Sequence, residues 1–344
     1  MESKYNTFNG IKVLRYVDYW KPILKGKIPP PICVSIDPSG VCNFNCSFCN
    51  ASKALSGTVM SIETMDKLVD VLKEWHTGFC CLGGGGSPLT NKNLPHLLHS
   101  LYENDIKIGM VTNGSLLHNF FQYAHMFEWI GISVDAATSE TFAEIKGTKE
   151  SMFAKVINNI QQLCNLNHTE VGFKFLVHPT NYKEIYKAVK LAKDIGCDLI
   201  QIRPAGNTWF GDVGCNFTED MIKQSLEHVK QAKADFEDSK FKVYGMTYKF
   251  DKNWSTKKSF KRCYAMYTTC YISPEGKIGL CFDRRGDKNI ELCSLDTYKL
   301  WGSQKHISIC NHTDVSKCPR CTGTHINEVF ENVIIEDKMS CGFY

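Results

Sequence analysis

The sequence predicts an α/β chain: a partial (β/α)6 TIM-like barrel with a small cysteine-rich C-terminal domain. Three observations predict it. Short apolar runs alternate with helical-period segments from Ile32 to Pro204, the pattern of βαβ units on a parallel sheet. At 344 residues, 43% of them apolar, the chain is long enough for such a barrel and its core. From Cys263 onward the texture changes to eight cysteines in 82 residues, among short strands and turns.

The elements follow in order. Residues 1–30 are mixed and close on the prolines of KGKIPPP, an extended lead-in. ICVSI (Ile32 to Ile36) is the first strand. SIETMDKLVDVLKEW has helical spacing, with Ser61 as its N-cap. GFCCLG is the second strand, LPHLLHSLYEN a helix and IKIGMVT the third strand. A helical stretch from about Leu116 to Phe127 leads to WIGISVD, the fourth strand. Two helices, SETFAEI and MFAKVINNIQQLCN, precede the fifth strand, EVGFKFLVH. A helix from Asn181 to Gly196 leads to the sixth, DLIQIRP. Residues 31–210 thus form the core barrel. Residues 211–258 are polar and lysine-rich, with one helix from Glu219 to about Phe236, and read as a bridge. Residues 259–344 form the cysteine-rich domain, where PEG turns a hairpin inside CYISPEGKIGLC.

Composition narrows the function. A net charge of +4 is close to balance for this length, so no nucleic-acid partner is expected. MESKYNTFNG lacks the basic-then-apolar pattern of a signal peptide, and no long apolar run predicts a membrane span. A cytoplasmic location is therefore expected. Cysteine is the outlier, at 17 residues. Secreted disulfide scaffolds are short, so this many thiols in a long chain point to metal binding or redox chemistry.

The densest group is Cys42-x3-Cys46-x2-Cys49, just after the first strand. A closed zinc site needs four ligands. Iron–sulfur cubanes also normally take four thiolates. Three on one loop suit a metal centre with one open position. A zinc site completed by a distant histidine, or three unrelated thiols, are the plain alternatives.

With Phe48 before the last cysteine, this motif resembles the signature of radical S-adenosylmethionine (SAM) enzymes. The resemblance runs over roughly residues 30–205. It implies a [4Fe–4S] cluster on Cys42, Cys46 and Cys49, whose free iron chelates SAM. One electron from that cluster, supplied by a flavodoxin- or ferredoxin-type donor, splits SAM to a 5′-deoxyadenosyl radical that removes a substrate hydrogen atom. LGGGGSPL stands where the family has a glycine-rich stretch near the SAM methionine, so Gly84, Gly85 and Gly86 are expected cofactor contacts. Ser87 replaces the family's usual glutamate, which removes a charge from that contact. Asn113 in VTNG borders the cofactor by the same resemblance. In ISVDA, Ser133 is expected at the SAM carboxylate or ribose and Asp135 at the ribose or substrate. Lys174 on strand five and Arg203 at the end of strand six are further candidates.

The tail resembles the auxiliary-cluster domain of the same superfamily, called SPASM in its full form and twitch in its short form. Twelve residues separate Cys263 from Gly276, four more precede Cys281, and Cys318-x2-Cys321 follows. The two cysteines that would complete the full pattern fall on Asn327 and Glu331, which favours the short form. The resemblance implies one auxiliary [4Fe–4S] cluster on Cys263, Cys281, Cys318 and Cys321, taking an electron from the substrate radical or shaping the pocket. Cys270 is the rival ligand. Zinc on the same four residues, or a second cluster on Cys270, Cys293, Cys310 and Cys341, are the alternatives. Cys215 in FGDVGCNF is a candidate hydrogen donor to a substrate radical. Asp283 to Arg285 read as a solvated turn, with contact to an acidic substrate group as the alternative.

The expected reaction is oxidation or epimerisation of a small hydroxylated molecule of sugar or cyclitol type. Only about thirty residues precede the first strand, which leans away from a peptide-recognition domain. A peptide-modifying enzyme is the second expectation, and an iron–sulfur or zinc protein without catalysis the third.

Overall fold

The computed structural model describes residues 10–52, 55–251 and 258–335. The six apolar runs form β1 (Cys33–Ile36), β2 (Phe79–Leu82), β3 (Lys107–Thr112), β4 (Phe127–Ser133), β5 (Glu170–Val177) and β6 (Leu199–Pro204). They pair in that order, all parallel. Such strands need crossover connections. These are α2 (Ile62–Glu74), α3 (Leu94–Glu103), α4 (Ser139–Lys146), α5 (Ser151–Leu166) and α6 (Ile185–Asp194), following α1 (Val17–Leu24) ahead of the sheet. Ser61 caps α2 as expected, accepting from Thr64 N. Its Met65, Leu68, Val69 and Leu72 lie on the core face at helical spacing.

The helical stretch from about Leu116 to Phe127 is 3₁₀ rather than α, in two pieces, Leu117–Asn119 and Phe121–Met126. Leu117 and Phe120 are both buried, a spacing of three that suits the 3₁₀ repeat. The segment read as a bridge carries the next α/β unit. Here α7 (Glu219–Phe236) crosses over to β7 (Lys242–Gly245), which pairs parallel with β6.

The cysteine-rich segment joins the same sheet. Its β8 (Thr269–Ile272) lies parallel to β1, and β9 (Lys277–Gly279) and β10 (Glu291–Ser294) extend it antiparallel. The order is β10-β9-β8-β1-β2-β3-β4-β5-β6-β7, so among the described residues the sheet is open, as a partial barrel is. Helices α8 (Gln304–His312) and α9 (Thr324–Val329) follow, and a π-helical stretch, Phe330–Ile335, ends the described chain. One row across the inner face is polar: Ser133 is in register with Lys174, and Lys174 with Gln201. Gly131 makes this row possible, since a Cβ there would stand 2.2 Å from Lys174 Cε. No described helix is long and apolar enough to cross a membrane.

Candidate functional site

The loop after β1 holds Cys42, Cys46 and Cys49 at the carboxyl end of the strands, where chemistry collects in such sheets. The thiols act on one another electrically: Cys46 feels Cys49 and Cys42, and Cys49 feels Cys42. Burial pushes the Cys46 thiol up to about 11 and raises Cys49. Thiols so reluctant to ionise become ligands when a metal displaces their protons. The loop is pinned from α4, where Asn45 N donates to Lys146 O and Ser47 N to Ile145 O, both at 3.0 Å. Gly147 ends that helix at φ +58, and any Cβ there would stand 2.4 Å from Asn45 O.

Nothing in the sequence singles out Lys146, a lysine in the last turn of α4, yet it is 2% exposed and pairs with Asp135. Burial acts to lower its ammonium, and Asp135 with the Cys46 and Cys49 thiols outweighs that, leaving it raised. Asp135, an expected ribose or substrate contact, has protein partners on both oxygens. One carboxylate oxygen is held by Lys146 and the other by Leu176 N at 2.6 Å, so it is the counter-ion of a buried lysine.

The glycine-rich strip lies against the cysteine loop. Gly86 N donates to Ser39 O and Ser87 N to Val41 O. Gly84 has φ +93 and packs on Asp37, whose carboxylate a Cβ would strike at 1.5 Å. Gly85 N donates to the same carboxylate. The glycines at 84 and 86 are thus required by the chain itself, since a Cβ on Gly86 would stand 2.1 Å from Val41 O. Ser87 Oγ is buried with no partner among the described residues, a free hydroxyl beside the loop. Asn113 Nδ2 lies 3.9 Å from Cys42 Sγ and 2.9 Å from Asn43 Oδ1. Ser133, Lys174 and Arg203 stand together around a cavity of about 70 Å³. There Lys174 Nζ donates to Gln201 Oε1 at 2.8 Å, and burial, then Arg203, hold it down to about 8.

The second cysteine set also converges. Cys263 feels Cys321 and Cys318, and Cys281 feels Cys263 and Cys321. Burial raises all four, Cys263 to about 12. Cys270 is elsewhere, buried on β8 with Cys33 and Cys293 as its neighbouring thiols. Cys310 feels Cys263. The alternative set of Cys270, Cys293 and Cys310 is therefore divided, and Cys341 lies outside the described residues. Asn327 and Glu331, at the two positions lacking cysteine, have other work. Asn327 Nδ2 donates to Cys263 Sγ at 4.0 Å and Cys321 Sγ at 3.8 Å, while Oδ1 accepts from Ala265 N at 2.6 Å. Glu331 accepts from Lys261 N and Arg262 N.

The expected solvated turn at Asp283 to Arg285 instead has its side chains largely out of solvent. Asp283 pairs with Arg320, Arg284 with Asp287 and Arg285 with Asp37. Burial pushes the Asp37 carboxyl up, and Arg285 opposes the push.

Both sets have the donor chemistry of iron–sulfur sites. Among the described residues no three His, Cys, Asp or Glu side chains close on one point as ligands of a single ion do. In a cubane each thiolate takes a different iron corner.

Residues 36–229 match the Radical SAM superfamily, and the chain belongs to that superfamily. It is 27% identical over 173 residues to a probable GTP 3′,8-cyclase of Saccharolobus islandicus, covering 48% of this chain and 55% of that protein. A probable GTP 3′,8-cyclase of Metallosphaera sedula is 27% identical over 177 residues, 48% of this chain and 54% of its own. The chain spans about half the length of these curated relatives. Among solved structures, Streptococcus suis SuiB bound to precursor peptide SuiA superposes with a TM-score of 0.68, at 15% identity, over 97% of this chain and 81% of that one. Native anSMEcpe with bound AdoMet and Cp18Cys peptide gives 0.63, at 19% identity, over 82% and 83%. At these identities the likeness is one of fold.

Proposed function

We propose that this chain cleaves SAM reductively and removes a hydrogen atom from a small hydroxylated substrate. The observation that carries it is the meeting of Cys42, Cys46 and Cys49 on one loop inside the superfamily match. In this reading those thiols hold a [4Fe–4S] cluster, which with SAM supplies the 5′-deoxyadenosyl radical. Asn113 and Ser87 flank the cofactor, and Lys146 offsets part of the thiolate charge. Cys263, Cys281, Cys318 and Cys321 hold one auxiliary cluster, in a domain of twitch or SPASM type. A flavodoxin- or ferredoxin-type donor and a cytoplasmic setting belong to the same reading.

The substrate's place is a cavity of about 560 Å³ bounded by Leu176, Arg203, Cys215 and Cys321. That volume is in the range of small-molecule sites. Burial, aided by Asp212, pushes the Cys215 thiol up to about 11, so it stays protonated and able to give a hydrogen atom. A peptide substrate is the second reading, supported by the peptide complexes among the structural neighbours.

The test is 5′-deoxyadenosine released by the anaerobically reconstituted protein with SAM and dithionite. Cys42→Ala is expected to abolish the product while the auxiliary cluster's absorbance survives. No product from fully loaded wild-type protein, with candidate substrates of both kinds present, would leave the binding-protein reading in its place.

A further inference from the structure

Three cations meet in the wall of the 560 Å³ cavity. Arg203 ends β6, Lys249 follows β7, and Arg320 lies between the cysteines at 318 and 321. Their origins are far apart in sequence, yet they act on one another. Burial lowers Arg203, and Arg320 lowers it further. Burial, then Arg203 and Arg320, hold Lys249 down to about 8. Among the described residues neither Arg203 nor Lys249 has a carboxylate within ion-pair distance. Arg320 does: its Nε donates to Asp283 at 3.0 Å, and Asp283 is shared with Thr322 N at 2.7 Å. Asp251 also lines the wall, at its exposed rim.

Asp283 pairs with Arg320 and also acts on Arg203 and Lys249, and Asp135, already held by Lys146, acts on Arg203. Half-burying three cations around one shared carboxylate still opposes folding. Such a cluster persists where a ligand brings the missing charge. The auxiliary thiolates are the obvious internal candidates, and they do reach Lys249 through Cys321. They do not account for Arg203, since none of the charges that chiefly act on it is a thiol. Arg203 also borders the smaller inner cavity with Ser133 and Lys174. Asn207 adds a buried amide oxygen without a partner among the described residues, and Phe217 and Phe250 give an apolar flank.

We propose that the cavity takes a substrate bearing an acidic group, a carboxylate or a phosphate, held between Arg203, Lys249 and Arg320. The anion anchors the molecule on the cysteine-rich side and leaves its other end toward Ser133 and Lys174. This rests on the proposed function in one respect, that the bound acid is the substrate of the radical chemistry.

Calorimetric titration of the full, cluster-loaded chain tests it, with inorganic phosphate in one arm and succinate in the other at fixed ionic strength. One saturable site is expected for at least one probe, and the tighter probe identifies the acid. Arg203→Gln and Lys249→Met should each weaken that binding tenfold or more. Lys240→Met, at an exposed lysine outside the cavity, should leave it unchanged. Absence of saturable binding by both probes, or unchanged binding in both cavity variants, overturns the inference. SAM cleavage is read separately. A protein that binds the probe as stated but releases no 5′-deoxyadenosine upholds the anion site and overturns the radical reading. One that cleaves SAM but binds neither probe overturns the anion site alone.

Discussion

Asn327 shows how a residue lost to one role takes another. Its amide nitrogen donates to the sulfurs of Cys263 and Cys321, and its oxygen holds Ala265 N. Hydrogen bonds to cluster sulfurs raise the reduction potential, because they stabilise the more negative, reduced state. Asn327→Asp keeps the acceptor, deletes the donor and adds a negative charge. If these four thiols hold the auxiliary cluster of the proposed function, the change is expected to lower its potential in an EPR-monitored redox titration and to weaken cluster retention by about 10–100-fold. An unchanged potential would mean that the amide only braces the loop. Lys146 makes a parallel case at the first cluster. Lys146→Met would leave Asp135 buried without its partner, at a cost of about 3–5 kcal/mol in denaturant unfolding. The same substitution with Asp135→Asn should recover part of that loss. These partners were illegible in the sequence for a physical reason. Thiol spacing on one loop is local and can be counted, whereas a hydrogen bond from Asn327 to Cys263 spans 64 residues.

Among the elements, those with a clean period were legible and those interrupted were not. The α7 boundaries, Glu219–Phe236, follow from its Thr218 cap and its 3.6-residue apolar rhythm. Pro22 sits inside α1 and hides it, because proline reads as a breaker. Four residues, KVYG, make β7, too short a run to stand out in a lysine-rich stretch. The start of α8 carries a pH-sensitive lock that no period reveals. His306 is 0% exposed, accepts from Gly302 N on Nδ1 and faces Met266 O with Nε2 at 2.8 Å. Only the neutral ring with its proton on Nε2 satisfies both contacts. Burial accordingly holds its pKa down to about 4. In the unfolded chain it titrates near its ordinary value of about 6.5. The unfolded state therefore binds the extra proton first as pH falls. Stability from this group is full above about 6.5 and is lost as pH drops toward about 4, a difference of ~3 kcal/mol. Urea midpoints from pH 7 to 4.5 should fall more steeply in the wild type than in His306→Gln. Parallel curves would remove His306 as a source of the slope.

Across the whole molecule, the cysteine-rich segment is built into the barrel sheet rather than hung beside it. β8 lies along β1, so the strand that leads into Cys42 is flanked by chain from both halves. The Asp37–Arg285 pair fastens the same seam. It joins residues 248 apart, from the end of β1 to the turn after Cys281, with Asp37 buried and Arg285 largely so. Arg285 Nε reaches both Asp37 oxygens at 3.2 and 3.0 Å, and its other nitrogens hold Ser35 Oγ and Phe282 O. Asp37 in turn fills the space that Gly84 leaves. One ion pair thus connects the first cysteine loop, the glycine-rich strip and the second cysteine set. Removing one partner leaves a buried charge, whereas removing both leaves none. Arg285→Met should therefore cost about 3–5 kcal/mol of stability, and so should Asp37→Asn, since each strands its partner. The double variant should lose clearly less than the sum, the signature of direct coupling across the seam. Full additivity in urea unfolding would mean that the two halves are fastened by the β1–β8 ladder and apolar packing alone.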